Sequence, residues 1–106
     1  MEQVTKKKLR LLAGRSSPDL AVAVSRELGV ELGEANISEF ANGEIHCQFD
    51  QSVRGSDVFI INTHSAWEDR SINDAIFEHL VMVDAAKRAS AKRISAVAPF
   101  YGYGRQ

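Results

Sequence analysis

The sequence reads as an α/β domain, a mostly parallel sheet flanked by helices with one inserted β-hairpin. Three observations lead there. Short apolar runs at residues 9–13, 57–63 and 93–98 have the length and β-branched character of buried strands. The segments between them carry helical periodicity with clear start and stop signals. An Asn42-Gly43 pair sits between two further strand-like runs, the strongest short signal for a hairpin. Strands alternating with helices favour a parallel sheet.

Taken in order, the first strand covers Leu9–Ala13 and ends at Gly14. Ser17, Pro18 and Asp19 then supply an N-cap, a first helical residue and a charge matched to the helix dipole. Leu20, Val24 and Leu28 recur at helical spacing as the expected buried stripe, and Gly29 ends the helix. Residues 35–41 and 44–49 form the hairpin arms, with both Asn42 and Gly43 expected at positive φ. A polar connection with Ser52, Arg54 and Gly55 leads to the strand at 57–63. After a polar loop, Ser71 and Asp74 make a capping box for a helix ending near Arg88 or Ala89. Its expected buried face is Ile72, Ile76, Leu80 and Val83. A third buried strand at 93–98 stops at Pro99.

Composition sets limits on function. The 106 residues are 44% apolar and 25% charged, ordinary for one small globular domain. A net charge of −1 gives no basic face for nucleic acid. The basic run Lys6-Lys7-Lys8 reads as a solvated lead-in. No apolar run approaches the roughly 20 residues that cross a bilayer. Cys47 stands alone, so no internal disulfide forms, and without a signal peptide a cytoplasmic setting is expected.

Ligands of parallel sheets gather at the carboxyl ends of the strands. This selects three loops: 14–17, 63–70 and 100–106. The first could offer N–H groups to a phosphate, but it reads first as a turn with a serine cap. His46, His64 and His79 lack metal-ligand spacing, and only His64, at a strand end, is placed for function. His46 and Cys47 are strand neighbours that point to opposite faces, which excludes a nucleophile–base pair. Glu68 and Asp69 read as an exposed loop, and Asp84 as surface or interface. The segment Phe100-Tyr101-Gly102-Tyr103-Gly104-Arg105-Gln106 combines rings that can stack with a guanidinium that can pair with phosphate.

Beyond these readings, the sequence resembles the ribose-phosphate diphosphokinases, also called phosphoribosyl pyrophosphate synthetases. The resemblance rests on Ser17-Pro18-Asp19-Leu20; on Glu39-Phe40-Ala41-Asn42-Gly43-Glu44-Ile45; on Gln51-Ser52-Val53-Arg54-Gly55 with the strand after it; on residues 81–94; and on residues 99–106. It implies a phosphoribosyltransferase-like fold in which residues 1–106 form an incomplete N-terminal domain. It also implies transfer of the diphosphoryl group of ATP to ribose 5-phosphate for nucleotide biosynthesis. Mg²⁺ would assist, with its ligands and the ribose-phosphate site beyond residue 106. No catalytic or metal-binding residue is therefore expected within the chain, and no diphosphokinase activity from it alone.

By the same resemblance, Phe40, Asn42 and Glu44 reach the adenine of ATP at a neighbouring subunit of a homo-oligomer, a hexamer in the family. Arg105 and Gln106 match the nucleotide-contacting pair. Ser52 and Arg54 match an allosteric site for phosphate or ADP. The chain departs from the family at Trp67-Glu68-Asp69-Arg70-Ser71, where a shorter proline-containing loop is usual, and at Gly104, where alanine is usual. Two other readings stand beside this one. A non-catalytic regulatory or scaffolding relative would retain the same motifs. A phosphoribosyltransferase would share the fold, with its acidic phosphate-loop motif beyond residue 106. An unfinished domain should leave sheet edge and apolar helix surface open to self-association.

Overall fold

A computed structural model describes residues 9–106; the Lys6-Lys7-Lys8 run lies outside them. Seven elements follow one another: β1 (Leu9–Ala13), α1 (Pro18–Leu28), β2 (Ala35–Glu39), β3 (Ile45–Phe49), β4 (Asp57–Ile61), α2 (Ile72–Arg88) and β5 (Arg93–Val97). The parallel sheet has the order β1-β4-β5, with Leu11 beside Phe59 and Phe59 beside Ser95. The strands β2 and β3 form a separate antiparallel pair.

Strand alternation gives the sheet two faces. Leu12, Val58 and Ile60 point one way and meet Met82 and Ala86 of α2, with Val53 completing a buried cluster. Ile37, Cys47 and Phe49 attach the hairpin to the rim of that cluster. The other face carries Leu9, Leu11, Phe59, Ile61 and Val97 beneath α1.

Three expectations about burial need correction. The Leu20, Val24 and Leu28 stripe does turn toward the sheet, but the two surfaces leave a wholly apolar cavity of ≈ 290 Å³ between them. Leu20 and Leu28 stay exposed, and Ala21 is the residue of α1 that is buried. In α2 the buried stripe is Ala75, Glu78, His79, Met82 and Ala86, whereas Leu80 is exposed and Ile76 half-buried. Met82 is the one large apolar side chain of this stripe, while Leu80 and Ile76 lie around the helix from it. Finally, β5 is an exposed edge strand, since it pairs on one side only.

The punctuation holds at most ends. Gly29 caps α1 in the left-handed conformation at φ 67°. Ser71 and Asp74 form the full capping box of α2: the Ser71 hydroxyl accepts the Asp74 N–H (3.2 Å) and the Asp74 carboxylate accepts the Ser71 N–H (2.7 Å). Ser17 occupies the N-cap of α1, but its hydroxyl makes no capping bond and is buried without a hydrogen-bond partner among the described residues. At the hairpin only Gly43 has positive φ (95°). The Gly43 N–H donates to the Phe40 carbonyl and the Phe40 N–H to the Glu44 carbonyl, both at 2.8 Å. This is the longer, bulged type of hairpin loop in place of the two-residue turn.

Candidate functional site

The loops at the carboxyl ends of β1, β4 and β5 converge through two buried polar assemblies. Asn62, fully buried just after β4, organises the first. Its Oδ1 accepts the Ser16 hydroxyl (2.6 Å) and the Ser16 N–H (3.3 Å), while its Nδ2 donates to the Ala75 carbonyl (3.0 Å). Gly14 is needed for this approach, because a Cβ there would stand 2.4 Å from Asn62 Oδ1. Next to it, Glu78 enters from α2 and accepts the backbone N–H of Arg15 (2.6 Å) together with that residue's Nε (2.9 Å) and Nη2 (2.7 Å). These bonds take up the N–H groups of Arg15 and Ser16, and the Gly14 N–H donates to the Ile61 carbonyl at 2.9 Å. A buried carboxylate stands where a bound phosphate would have to sit, so the turn reading holds and the phosphate reading does not.

The second assembly is a chain of two histidines. The Gly102 N–H donates to His64 Nδ1 at 2.9 Å. His64 Nε2 and His79 Nδ1 are 3.0 Å apart, and His79 Nε2 lies 2.8 Å from the Ile60 carbonyl. A carbonyl only accepts and an N–H only donates, so the directions follow. His79 carries its proton on Nε2, and so does His64. Burial pushes both below the ordinary imidazole value of 6.5, and for His64 the neighbouring ring adds to the effect. For His79 the bond to the Ile60 carbonyl and the charge of Glu78 oppose that shift. His64 thus fastens the 100–106 segment to the sheet and to α2.

That segment folds into turns over α2. The Tyr103 hydroxyl donates to Asn73 Oδ1 at 2.6 Å, and Tyr103 has φ 63°. Gly104 fits closely, since a Cβ there would lie 3.1 Å from the Tyr101 carbonyl. Ile72, Phe100, Tyr101, Tyr103, Arg105 and Gln106 line a cleft of ≈ 510 Å³. Phe100, Tyr101 and Tyr103 are all exposed. Arg105 is exposed too and engages no carboxylate among the described residues.

The hairpin tip presents Phe40, Asn42 and Glu44 elsewhere. Phe40 is 55% exposed and its ring lies 5.3 Å from that of His46. Asn42 Oδ1 accepts the Glu44 N–H at 3.0 Å, which shapes the turn. Among the described residues no hydrogen bond, ion pair or ring contact joins these three to Arg105 or Gln106. Ser52 and Arg54 occupy a third place, where the Arg54 N–H donates to the Ser52 hydroxyl at 3.3 Å. Ser52 lines a cavity of ≈ 480 Å³ that also contains Arg88, itself paired with Asp84 at 2.7 Å.

The remaining candidates are structural. Cys47 faces the core, and burial pushes its thiol up to about 11, which removes it as a nucleophile. Glu68 and Asp69 are exposed, each within ion-pair distance of Arg70 (3.5 and 3.3 Å). Among the described residues no three His, Cys, Asp or Glu side chains converge as metal ligands, and no helix is long and apolar enough to cross a membrane.

Residues 9–106 match the family described as the N-terminal domain of ribose phosphate pyrophosphokinase. The ribose-phosphate pyrophosphokinase of Corynebacterium efficiens is 50% identical over 100 residues, which is 94% of this chain and 30% of that protein. That of Mycobacterium bovis is 48% identical over 101 residues, 95% of this chain and 30% of the relative. The crystal structure of phosphoribosylpyrophosphate synthetase from Mycobacterium smegmatis superposes with a TM-score of 0.84 at 48% identity, covering 92% of this chain and 32% of that one. A purine phosphoribosyltransferase from Pyrococcus horikoshii shares the fold at 17% identity (TM-score 0.52), over 84% of this chain and 58% of its own. The chain thus spans about 30% of the length of its curated relatives.

Proposed function

Since the chain belongs to the ribose-phosphate pyrophosphokinase family, as its N-terminal domain, we propose that it supplies nucleotide-facing elements of an enzyme that transfers the diphosphoryl group of ATP to ribose 5-phosphate. The observation that carries this is the cleft of residues 100–106. It combines exposed rings with an arginine that has no carboxylate partner among the described residues. An unneutralised guanidinium beside aromatic faces suits a polyphosphate attached to a base. In-line displacement at phosphorus depends on positioning and charge neutralisation, and Arg105 supplies part of both, with Gln106 beside it.

Phe40, Asn42 and Glu44 take the adenine, Phe40 by stacking and the other two by hydrogen bonds to the base edge. The lack of any hydrogen bond, ion pair or ring contact between the hairpin tip and Arg105 among the described residues fits an arrangement in which the tip of one subunit completes the site of its neighbour in a homo-oligomer, a hexamer in this reading. Ser52 and Arg54 form a second place for phosphate or ADP, with Arg88 sharing the cavity that Ser52 lines. Magnesium would neutralise the diphosphate, and residues outside this chain would hold it. The 106-residue chain alone should then yield no 5-phosphoribosyl 1-diphosphate.

The test is Arg105→Ala in the complete enzyme. A hydrogen bond to a charged group is worth about 1.5–3 kcal/mol, so kcat/KM for ATP should fall roughly 10- to 100-fold. Unchanged kinetics would remove Arg105 from the site.

A further inference from the structure

We infer that Arg70 and Trp67, in the loop between β4 and α2, fix the angle at which the β2–β3 hairpin leaves the domain and so act as positioning residues for Phe40. This rests on the reading of Phe40 as a nucleotide-stacking group. The hairpin is a sheet of its own, without strand pairing to β1, β4 or β5. A two-stranded hairpin is at best marginally stable in water, so its direction must be set by side chains. Near the strand centres Ile37, Cys47 and Phe49 do this by apolar contact. Two residues further along the same face, next to the tip, stands Glu39.

Glu39 is gripped by arginines from two different loops. Arg70 meets it as a fork, Nη2 to Oε1 at 2.6 Å and Nε to Oε2 at 3.0 Å. Arg15 adds Nη2 to Oε2 at 3.2 Å, and Arg15 is itself anchored on buried Glu78. The two guanidinium carbons lie 5.7 and 5.6 Å from the Trp67 ring centroid, so the indole supports both. Trp67 and Arg70 exchange backbone hydrogen bonds (3.2 and 2.8 Å), with Glu68 at φ 51° between them, which makes the loop a closed turn. The arginines hold the Glu39 carboxyl down at about 2, so the grip persists through any physiological acidity. Phe40 follows directly and lies across the strand pair with His46. One face of the hairpin is thus clamped while the other presents the ring.

The experiment uses the complete enzyme with Arg70→Ala, Arg70→Lys and Trp67→Ala. Hydrogen exchange of the Phe40 and Gly43 amides is read beside the KM for ATP and kcat. Arg70→Ala should speed hairpin exchange about 5-fold without altering the amides of β1 and β4. The KM for ATP should rise several-fold at nearly constant kcat. Lysine cannot reproduce the fork and should recover only part of both effects. Molar salt should loosen the wild-type hairpin more than that of Arg70→Ala, where only the Arg15–Glu39 pair is left to screen. Unchanged hairpin exchange in Arg70→Ala overturns the clamp. Faster exchange with an unchanged KM keeps the clamp and overturns the nucleotide reading of Phe40.

Discussion

Removing Arg15 should cost far more than its place at the surface suggests. The Glu78 side chain is 0% exposed, while that of Arg15 is 28% exposed. In Arg15→Ala the carboxylate loses the Nε and Nη2 donors and retains only the backbone N–H. Breaking a buried ion pair from one side costs about 3–5 kcal/mol. The surviving donor and the space opened to water place this case near the lower end, about 3 kcal/mol. Glu78→Gln should cost roughly half as much, because Arg15 can turn toward water and Glu39 whereas Glu78 cannot turn anywhere. The assay is urea unfolding followed by circular dichroism. With a slope of about 1.5 kcal/mol per molar, the midpoint of Arg15→Ala should drop by roughly 2 M at unchanged slope. The double variant should cost less than the sum of the two. A loss below about 1 kcal/mol for Arg15→Ala, or a larger loss for Glu78→Gln, would refute the account.

The histidine chain predicts a pH dependence. Both imidazoles have lowered values in the folded state, so the unfolded chain binds more protons as pH falls below 6.5. Their contribution is therefore complete above that pH and is lost as acid approaches the folded values. Unfolding midpoints at pH 7.5 and 5.5 should show this fall, and His79→Leu should flatten it; an identical profile in that variant would contradict the assignment. Ser52→Ala combined with Arg54→Ala in the complete enzyme should relieve inhibition by ADP. Inhibition curves that superpose on the wild type would remove that site.

Much of the fold was legible because its signals are local. Gly29, the Ser71–Asp74 box and the apolar strands each act through near neighbours, and their element boundaries agree to within two residues. The hairpin was legible too, although its turn type depended on a bulge that the Asn-Gly pair does not specify. What escaped depends on tertiary contact. The stripe of large apolar residues on α2 outranked the stripe Ala75, Glu78, Met82, Ala86, which has an acid and two alanines beside a single large apolar residue. Yet Glu78 at helical spacing among apolar and small neighbours was itself the clue to a buried charge, with Arg15 as its partner. The histidines were read one at a time, and 15 residues of sequence conceal that the rings of His64 and His79 meet. The hairpin tip and Arg105 are linked only by the motif resemblance, since no contact among the described residues joins them.

Asn62 restricts which sequences can build this domain. Its two terminal atoms do opposite work, an oxygen that receives from Ser16 and a nitrogen that gives to Ala75. Aspartate has the same shape but would set a second oxygen against the Ala75 carbonyl. Leucine would take the acceptor from the Ser16 N–H and the donor from the Ala75 carbonyl, leaving the Ser16 hydroxyl only the Thr63 carbonyl, and glutamine is too long for a space already closed by Gly14. Loss of that amide would leave the first loop tied to the long helix by Arg15 and Glu78 alone. The most chemically ordinary residue of the domain is among the hardest to exchange.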